Sequence, residues 1–353
     1  MASATLFFTL RNMNLLRIEK DNWLTDYIVH WKPLDMCNYD CSYCEPYNHR
    51  TIDVNTMPKV EDLMAVSDKI KAAVPEDKTV LVVLTGGEPF LIPNFELFLQ
   101  RLVEHKFKIF IFTNGSMPAK MYERCSEALK SVNIFLSFHP ETADMEKFVN
   151  LAVRLKENGG KVEVRAMLVP TLFDRVNVLE EKLKPHSIGI NKLIVFPLVN
   201  TTTQHINLPF QTSRHLEDYT QKSDLTLDYF SEDEKAIIKS IEDERKNAAP
   251  TNNRKNFKIN LTVEEDGIIK TTQASAYSII MKDLNKFKGW SCNVGMKKLA
   301  IDANGDMHFG ICKNDGKIGN VFNDEIVFNT IPTICRRSQC LTVDEIMVTK
   351  HVI

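Results

Sequence analysis

Three cysteines close together near the start of the chain, Cys37, Cys41 and Cys44, carry side chains that could bind metal. Three residues separate the first pair and two separate the second. Thiolates on one tight loop can hold three irons of a cubane iron–sulfur cluster and leave its fourth iron without a protein ligand. A cluster that only relays electrons would need a fourth cysteine nearby. The spacing therefore favours an open iron that binds another molecule and takes part in chemistry.

Zinc is the main alternative for these cysteines. Cys41, Cys44 and His49 match the first three ligands of a zinc knuckle, but the fourth ligand position falls on Val54. Because a structural zinc site requires four protein ligands, the spacing favours the cluster over zinc. A disulfide is also open in principle, although no feature of the sequence marks the chain as secreted.

The overall composition is that of an ordinary soluble enzyme. Of the 353 residues, 44% are hydrophobic and 25% are charged, which suffices for one large domain or for a large and a smaller one. A formal net charge of −2 and a pI of about 6.5 give no general attraction to nucleic acids or anionic membranes. The apolar run at residues 6–10 is too short for a secretory core or a membrane span, so the reducing cytoplasm is the expected compartment.

The other cysteines support a metal-binding interpretation, because eight cysteines in a reducing compartment favour metal ligands or buried thiols over disulfides. Four of them form a second group late in the chain: Cys292, Cys312, Cys335 and Cys340. Cys125 stands alone within a predicted helix, and we interpret it as a small buried apolar residue.

From about residue 26 to residue 200 the sequence alternates β-rich and helix-like segments, which predicts β/α units around a parallel sheet. The predicted strands are Tyr27–Trp31, Thr79–Leu84, Phe107–Phe112, Val132–Phe138, Val162–Val169 and Leu193–Pro197. The predicted helices are Val60–Ala73, Asn94–His105, Pro118–Leu129, Asp144–Glu157 and Val176–Leu183. An open doubly wound sheet and a partial barrel both fit this pattern. Either would carry its active site at the carboxyl ends of the strands.

Unusual residues follow the predicted strands at those ends. The cysteine triad follows the first strand, and residues 85–89, Thr-Gly-Gly-Glu-Pro, follow the second. The later strand ends carry Asn114, Ser137, His139 and Glu141, while Arg165 interrupts the apolar fifth strand. We therefore expect one edge of the sheet to collect the polar side chains and the cysteine loop.

Two motifs in this order resemble the radical S-adenosylmethionine (radical SAM) superfamily. They are the triad, with Tyr43 just before its third cysteine, and the Gly86-Gly87-Glu88-Pro89 turn after the second strand. The resemblance implies an α/β fold, a partial (β/α)6 TIM-like barrel, over residues 26–200. It also implies a [4Fe-4S] cluster with an open iron site and bound S-adenosylmethionine (SAM).

The resemblance further implies how the cofactor is held. Tyr43 and the turn from Gly86 to Pro89 would contact SAM, with the turn at the amino group of its methionine. Asn114 and Ser137 would face the ribose, and Arg165 would pair with the carboxylate, for which its planar guanidinium is suited. Taken without the resemblance, Asn114 fits a turn, Ser137 a strand-end hydroxyl and Arg165 an ion-paired core residue.

The four late cysteines resemble the auxiliary-cluster extension of SPASM and twitch enzymes, a small α+β region. Four ligands suit one second [4Fe-4S] cluster, and Arg336 and Arg337 could offset its negative charge. The gap of four residues between Cys335 and Cys340 is wider than usual in that extension, and a zinc ribbon remains the alternative. The expected organisation is an N-terminal extension (1–25), the radical SAM core (26–200), a bridging region (201–290) and the auxiliary region (291–353).

Local signals also predict structure in the second half of the chain. A capping box at Ser231–Glu234 predicts a helix to about Arg245. Hairpins are predicted at Asp266-Gly267, within 258–269, and at residues 303–306, between Lys298–Asp302 and Met307–Ile311.

The resemblance implies an enzyme that cleaves SAM reductively to a 5′-deoxyadenosyl radical, which abstracts hydrogen from a substrate carbon. The expected partners are a low-potential electron donor of the flavodoxin or ferredoxin type and a small-molecule substrate, such as a sugar, cyclitol or nucleotide-linked metabolite, to be oxidised or rearranged. His139 and Glu141 are candidates for acting on that substrate.

Three other functions are weighed against this one. A peptide-modifying maturase is the first alternative, although only about 25 residues precede the first predicted strand, too few for a separate peptide-binding domain. Nucleobase modification is less favoured, because no basic, aromatic-rich surface is evident and neither nucleic acid nor membrane binding is expected. A non-catalytic zinc-stabilised binding protein is the remaining alternative, against which the Gly-Gly-Glu-Pro turn argues.

Overall fold

A computed structural model describes residues 14–20, 24–44, 52–195, 198–199, 206–207, 230–247, 258–276, 279, 284–340 and 342–353. His49, the apolar run at residues 6–10, part of the bridging region and the end of the sixth predicted strand lie outside the described residues. None of the helices within these ranges is long and apolar enough to cross a membrane.

The described strands and helices follow one another along the chain with short connections in the first half. The strands are β1 (Asn14–Glu19), β2 (Tyr27–Leu34), β3 (Val80–Gly86), β4 (Lys108–Thr113), β5 (Asn133–Phe138), β6 (Lys161–Leu168), β7 (Ile190–Ile194), β8 (Leu198–Val199), β9 (Ile206–Asn207), β10 (Lys258–Glu265), β11 (Ile268–Ser275), β12 (Ser291–Cys292), β13 (Lys298–Ile301), β14 (Asp306–Phe309), β15 (Gly319–Asn320), β16 (Thr333–Ile334) and β17 (Lys350–His351). The helices are α1 (Val60–Ala72), α2 (Phe95–Glu104), α3 (Ala119–Arg124), α4 (Ser126–Leu129), α5 (Met145–Glu157), α6 (Phe173–Leu183), α7 (Glu232–Asn247), α8 (Val294–Lys297) and α9 (Val343–Ile346).

The larger sheet contains the six strands that correspond to those predicted over residues 26–200. Among the described residues it has nine strands in the order β15-β14-β13-β2-β3-β4-β5-β6-β7, and strands β2 to β7 are parallel neighbours in chain order. A doubly wound sheet would reverse this order at a switch point. The strictly sequential order is that of a barrel, which confirms the expectation of a mixed α/β fold with a partial barrel.

The helices cover one face of this sheet, because alternate strand residues point to opposite faces. On β2, Val29 and Trp31 belong to the large core that contains the apolar residues of the helices. Ile28 lies on the other face, in a separate cluster with Leu81 and Val83. This second face is the inner face of the partial barrel, and we use that name below.

The predicted helix at residues 118–129 is interrupted. It forms two short helices, α3 and α4, which meet at Cys125. The thiol of Cys125 is 2% exposed, as expected of a small apolar residue. Helix α5 agrees with its prediction, because Asp144 accepts a hydrogen bond from the Lys147 backbone N–H and caps its first turn.

A second, antiparallel sheet joins the two ends of the chain. Its strand order is β11-β10-β1-β17-β12-β16. The hairpin predicted at Asp266-Gly267 forms between β10 and β11, and both turn residues have positive φ, as a type I′ turn requires. Strand β1, which the sequence assigned to an N-terminal extension, pairs with β10 and β17 and so belongs to this sheet.

The hairpin predicted at residues 303–306 connects the barrel to the C-terminal part of the chain. Strand β13 lies parallel to β2 and extends the larger sheet, and β14 pairs with β13 after a turn in which Gly305 has a φ of 84°. A buried ion pair then links β13 to α9. Lys298 Nζ lies 3.4 Å from Glu345 Oε1, and the two side chains are 0% and 2% exposed. Glu345 Oε1 also accepts a hydrogen bond from the backbone N–H of Ile311.

Replacing Lys298 by methionine should destabilise the protein by about 3–5 kcal/mol, because it leaves the buried Glu345 carboxylate without its partner. A Lys298→Met/Glu345→Gln double variant should recover part of the loss, since glutamine removes the charge and keeps an acceptor for Ile311. Denaturant-unfolding midpoints of the wild type and both variants measure the effect. Equal midpoints for the single and double variants would contradict the buried-charge explanation.

Candidate metal and cofactor site

The three cysteines of the triad lie on the loop that leaves the carboxyl end of β2. Cys41 is 3% exposed, and Cys37 and Cys44 are half-buried. The backbone N–H of Cys44 donates to the Cys41 carbonyl at 3.0 Å, which closes a tight turn between the last two cysteines. The backbone N–H of Tyr39 donates to the Cys37 sulfur at 3.4 Å.

Burial makes these thiols hard to ionise in the absence of a cation. Burial, with the neighbouring Glu88, Cys44 and Cys41 as further causes, raises the pKa of Cys37 to about 12. Burial raises the pKa of Cys41 to about 11. Bound metal would supply the positive charge that three neighbouring thiolates require. The arrangement therefore fits a cationic group held by the loop.

Apolar side chains surround the loop on its inner side. Cys41 and Tyr43 pack against Met167, Val169 and Val195, which come from β6 and from the segments just after β6 and β7. The loop therefore covers the carboxyl ends of these strands, and its sulfurs lie partly out of water.

The glycine pair after β3 lets two backbone segments approach very closely. A Cβ atom on Gly87 would lie 1.8 Å from the Met36 carbonyl oxygen, and one on Gly86 would lie 2.5 Å from the Leu34 carbonyl oxygen. The Gly87 N–H donates to the Leu34 carbonyl oxygen at 2.9 Å, and the Glu88 N–H donates to the Met36 carbonyl oxygen at 2.9 Å. Because no other residue fits at Gly87, the pair fastens the turn to the start of the cysteine loop.

The carboxylate of Glu88 faces the interior of the protein. It is fully buried and accepts hydrogen bonds from the backbone N–H groups of Phe90 (3.0 Å) and Asn114 (2.7 Å) and from the Thr113 hydroxyl (2.8 Å). Burial raises its pKa to about 7 in spite of these donors. Glu88 thus ties the end of β3 to the end of β4, and its oxygens have partners other than the ammonium group suggested by the sequence.

The side chain of Asn114 lies against the cysteine loop. Its Oδ1 accepts a hydrogen bond from the Ser116 N–H at 2.9 Å, which directs the amide nitrogen the other way. That nitrogen donates to Asn38 Oδ1 at 3.1 Å and lies 3.5 Å from the Cys37 sulfur. Asn114 is therefore a neighbour of the triad, a contact that the sequence did not predict.

Ser137 and Arg165 lie side by side on the inner face of the partial barrel. They are partners in the register between β5 and β6. The Arg165 guanidinium stacks over the rings of Phe135 (4.1 Å) and Phe112 (4.7 Å), and its Nε donates to Glu163 Oε1 at 3.1 Å. The structure thus brings together Ser137 and Arg165, the two residues that the resemblance assigns to SAM.

The two candidates for acting on a substrate, His139 and Glu141, contact the cysteine loop. His139 Nδ1 forms a 2.8 Å hydrogen bond with the Tyr43 hydroxyl, and the two rings are stacked. Burial lowers the pKa of His139 to about 4, so its imidazole is neutral at physiological pH. Glu141 accepts hydrogen bonds from the backbone N–H (2.7 Å) and hydroxyl (2.5 Å) of Ser42. Both side chains therefore brace the loop.

A further residue of the same segment, Thr142, was missed by the sequence analysis. Its Oγ1 lies 3.5 Å from the Cys41 sulfur. Its position one residue after Glu141, in a segment that follows a strand end, is the only signal in the sequence that could have pointed to it. Residues 139–142, which we name the clasp, thus contact three consecutive residues of the cysteine loop, Cys41, Ser42 and Tyr43.

The four late cysteines come together in a single apolar cluster in the C-terminal part of the chain. Cys292, Cys335 and Cys340 are buried, and Cys312 is half-buried. Burial raises the pKa of each thiol, to about 12 for Cys340. The cluster also contains Phe309 and Met347.

A buried lysine lies beside these cysteines, and no sequence signal marked it. Lys350 is 1% exposed and pairs across the sheet with Cys292. Its Nζ donates to the carbonyl oxygens of Glu345, Ile346 and Val348. Its positive charge opposes the effect of burial on the pKa of Cys292, Cys335 and Cys340, and it would favour an anionic centre here.

In the part of the chain that the structure describes, no group of three or more His, Cys, Asp or Glu side chains is arranged to hold a single metal ion. A cubane cluster makes a different demand on its ligands, because each thiolate binds a separate iron.

Comparisons with known proteins place the barrel in a family. Residues 31–180 match the model of the Radical SAM superfamily. Among curated proteins, GTP 3′,8-cyclase of Aquifex aeolicus is 32% identical over 157 residues, 40% of this chain and 47% of that protein. The 7-carboxy-7-deazaguanine synthase of Rickettsia prowazekii is 34% identical over 97 residues, 26% of this chain and 38% of that protein. The chain thus spans less than half the length of each of these relatives.

Solved structures show the same fold over more of the chain. SuiB of Streptococcus suis bound to the precursor peptide SuiA has a TM-score of 0.51 at 14% identity, over 85% of this chain and 63% of that one. SuiB bound to S-adenosylmethionine has a TM-score of 0.51 at 15% identity, over 85% and 64%. At these identities the likeness is one of fold.

Family model, fold and motifs agree. Members of the matched superfamily use a [4Fe-4S] cluster and SAM. The cysteine loop follows β2, and the Gly-Gly-Glu-Pro turn follows β3, both within the matched residues. Residues 31–180 therefore form a radical SAM domain.

Proposed function

We propose that this chain is a radical SAM enzyme whose [4Fe-4S] cluster is held by Cys37, Cys41 and Cys44. A cluster held by these three cysteines would supply the electron for the reductive cleavage of bound SAM, and this chemistry would allow hydrogen abstraction from a substrate carbon. The observation that carries the proposal is the cysteine loop itself, with Cys41 buried and Cys37 and Cys44 half-buried, which is held at the carboxyl ends of the parallel strands by the Gly87–Met36 contact. The apolar packing of Cys41 and Tyr43 would keep water from the reacting groups.

The residues on the inner face are assigned to SAM. In the described contacts Arg165 donates through Nε to Glu163, so Nη1 and Nη2 remain for a carboxylate. Ser137, which is the register partner of Arg165, is assigned to the ribose. Asn114 is assigned to the ribose as well. Both lie at a strand's carboxyl end, where ligands of parallel sheets bind.

The turn after β3 is assigned to the amino group of the SAM methionine. Because the Glu88 carboxylate already accepts three hydrogen bonds, the partly exposed backbone of Gly86 and Gly87 is the better acceptor. Pro89 begins the short 3₁₀ turn that closes this segment. Tyr43 stays a predicted cofactor contact, with its ring 4% exposed and stacked on His139.

A small molecule is the substrate class that we favour, with an electron donor of the flavodoxin or ferredoxin type as partner. The curated relatives that match the domain are named for GTP and a deazaguanine, which are purine-type small molecules. A peptide is the second candidate. The likeness to SuiB, whose structure holds a precursor peptide, extends over 85% of the chain and so beyond the domain.

The late cysteines are proposed to hold a second [4Fe-4S] cluster. Their common burial and the adjacent Lys350 support an anionic four-thiolate centre. A zinc centre with the same ligands would also be anionic, so metal analysis must separate the two hypotheses.

Anaerobically purified wild-type protein should contain about eight irons and eight acid-labile sulfides per chain, because two cubanes hold four of each. A Cys37→Ala/Cys41→Ala/Cys44→Ala variant should fall to about four, while Cys125→Ala, a buried cysteine outside both groups, should match the wild type. Four irons falling to none, with zinc retained, would make the late site a zinc centre. Zinc alone in all three proteins would contradict the proposed function.

The reductive cleavage of SAM should depend on the triad. A Cys41→Ala variant incubated with SAM and a low-potential reductant should form no 5′-deoxyadenosine, whereas Cys125→Ala should form as much as the wild type. Chromatographic assay of 5′-deoxyadenosine measures both. Product formation by Cys41→Ala at the wild-type rate would remove this cysteine from the ligand set.

Arg165→Met should weaken SAM binding by roughly 10- to 100-fold, since a hydrogen bond between charged groups contributes about 1.5–3 kcal/mol. Arg154→Met is the matched control, because Arg154 is an exposed arginine that pairs with Glu123. Equilibrium dialysis of labelled SAM against the iron-loaded proteins gives both affinities. Equal affinities in the two variants would withdraw Arg165 from the SAM site.

A further inference from the structure

The clasp, residues 139–142, contacts the cysteine loop at three consecutive positions. His139 meets Tyr43, Glu141 meets Ser42, and Thr142 meets Cys41. The first two contacts hold the loop in place. The third differs in kind, because it joins a hydroxyl to a sulfur that is itself a proposed iron ligand.

The direction of this hydrogen bond follows from the chemistry of the sulfur. A free thiol could donate to Thr142 Oγ1, 3.5 Å away, or accept from it. A cysteine bound to iron has lost its proton, so the hydroxyl must then be the donor. The backbone of the turn that carries Thr142 is itself fixed, because the N–H groups of Thr142 and Ala143 both donate to the His139 carbonyl, at 3.1 and 2.9 Å.

We propose that the Thr142 hydroxyl donates a hydrogen bond to the Cys41 sulfur and thereby raises the reduction potential of the cluster on the triad. This inference rests on the proposed function. Reduction adds one electron, from the low-potential donor, to the cluster and increases the negative charge on its sulfurs. A donor that faces one of these sulfurs therefore stabilises the reduced state more than the oxidised state. Thr142 acts through Cys41 and is a positioning residue.

Other donors among the described residues also face the triad. The backbone N–H of Tyr39 lies 3.4 Å and the side-chain amide of Asn114 lies 3.5 Å from the Cys37 sulfur, and the Tyr43 hydroxyl interacts with Cys41. The first cannot be removed by substitution of Tyr39, and the second also binds Asn38. Thr142 offers the cleaner test, because valine has nearly the same shape and lacks the hydroxyl.

The midpoint potential of the cluster is the quantity to measure. Redox titrations followed by electron paramagnetic resonance would use wild type, Thr142→Val and Thr142→Ser. The signal is assigned to the triad by its loss in the Cys37→Ala/Cys41→Ala/Cys44→Ala variant. We expect a more negative midpoint in Thr142→Val, a midpoint near wild type in Thr142→Ser, and equal iron content in all three.

Two results would overturn the inference while the proposed function stands. One is an unchanged midpoint in Thr142→Val. The other is an equal shift in Thr142→Ser, which keeps the hydroxyl and so would trace the effect to packing. A wild-type protein without triad-dependent iron would instead remove the proposed function first, and the inference with it.

Discussion

The contact between Gly87 and Met36 is the constraint on which the rest of the site depends. A Cβ at position 87 would lie 1.8 Å from the Met36 carbonyl oxygen, so only glycine permits this approach. Once the turn is seated there, the Glu88 side chain enters the interior and accepts a hydrogen bond from the backbone of Asn114. The Asn114 amide then lies against Cys37. One backbone contact thus aligns the ends of β3 and β4 with the cysteine loop.

The loop is held from the opposite side by the clasp, so its position is fixed between two strand ends. This bracing matters because the thiols are hard to ionise where they lie. Burial raises the pKa of Cys37 and Cys41 well above the usual range. A loop without bracing could turn these sulfurs toward water. Because Glu141 and His139 hold the loop, its sulfurs are preorganised for a cationic group, which would favour their ionised form.

Local sequence patterns predicted the barrel well, because buried parallel strands tend to be nearly continuous apolar runs between helices. The run Thr79–Leu84, for example, became β3 at Val80–Gly86. Strand β1 escaped prediction because its partners, Glu264 and His351 among them, lie at the other end of the chain. The split of the predicted helix at Cys125 likewise reflects tertiary packing, since no proline or glycine interrupts Ala119–Leu129.

The sequence also brought the right residue types to one edge of the sheet, but it could not assign their contacts. His139 and Glu141 could be placed after β5, yet nothing in the sequence said that they would meet Tyr43 and Ser42. Buried polar groups must find partners, and a loop full of backbone donors offers them nearby. The polar side chains at this edge therefore hydrogen-bond to the cysteine loop. The inner face around Arg165, which we assign to SAM, holds aromatic rings and a partly exposed charge close together.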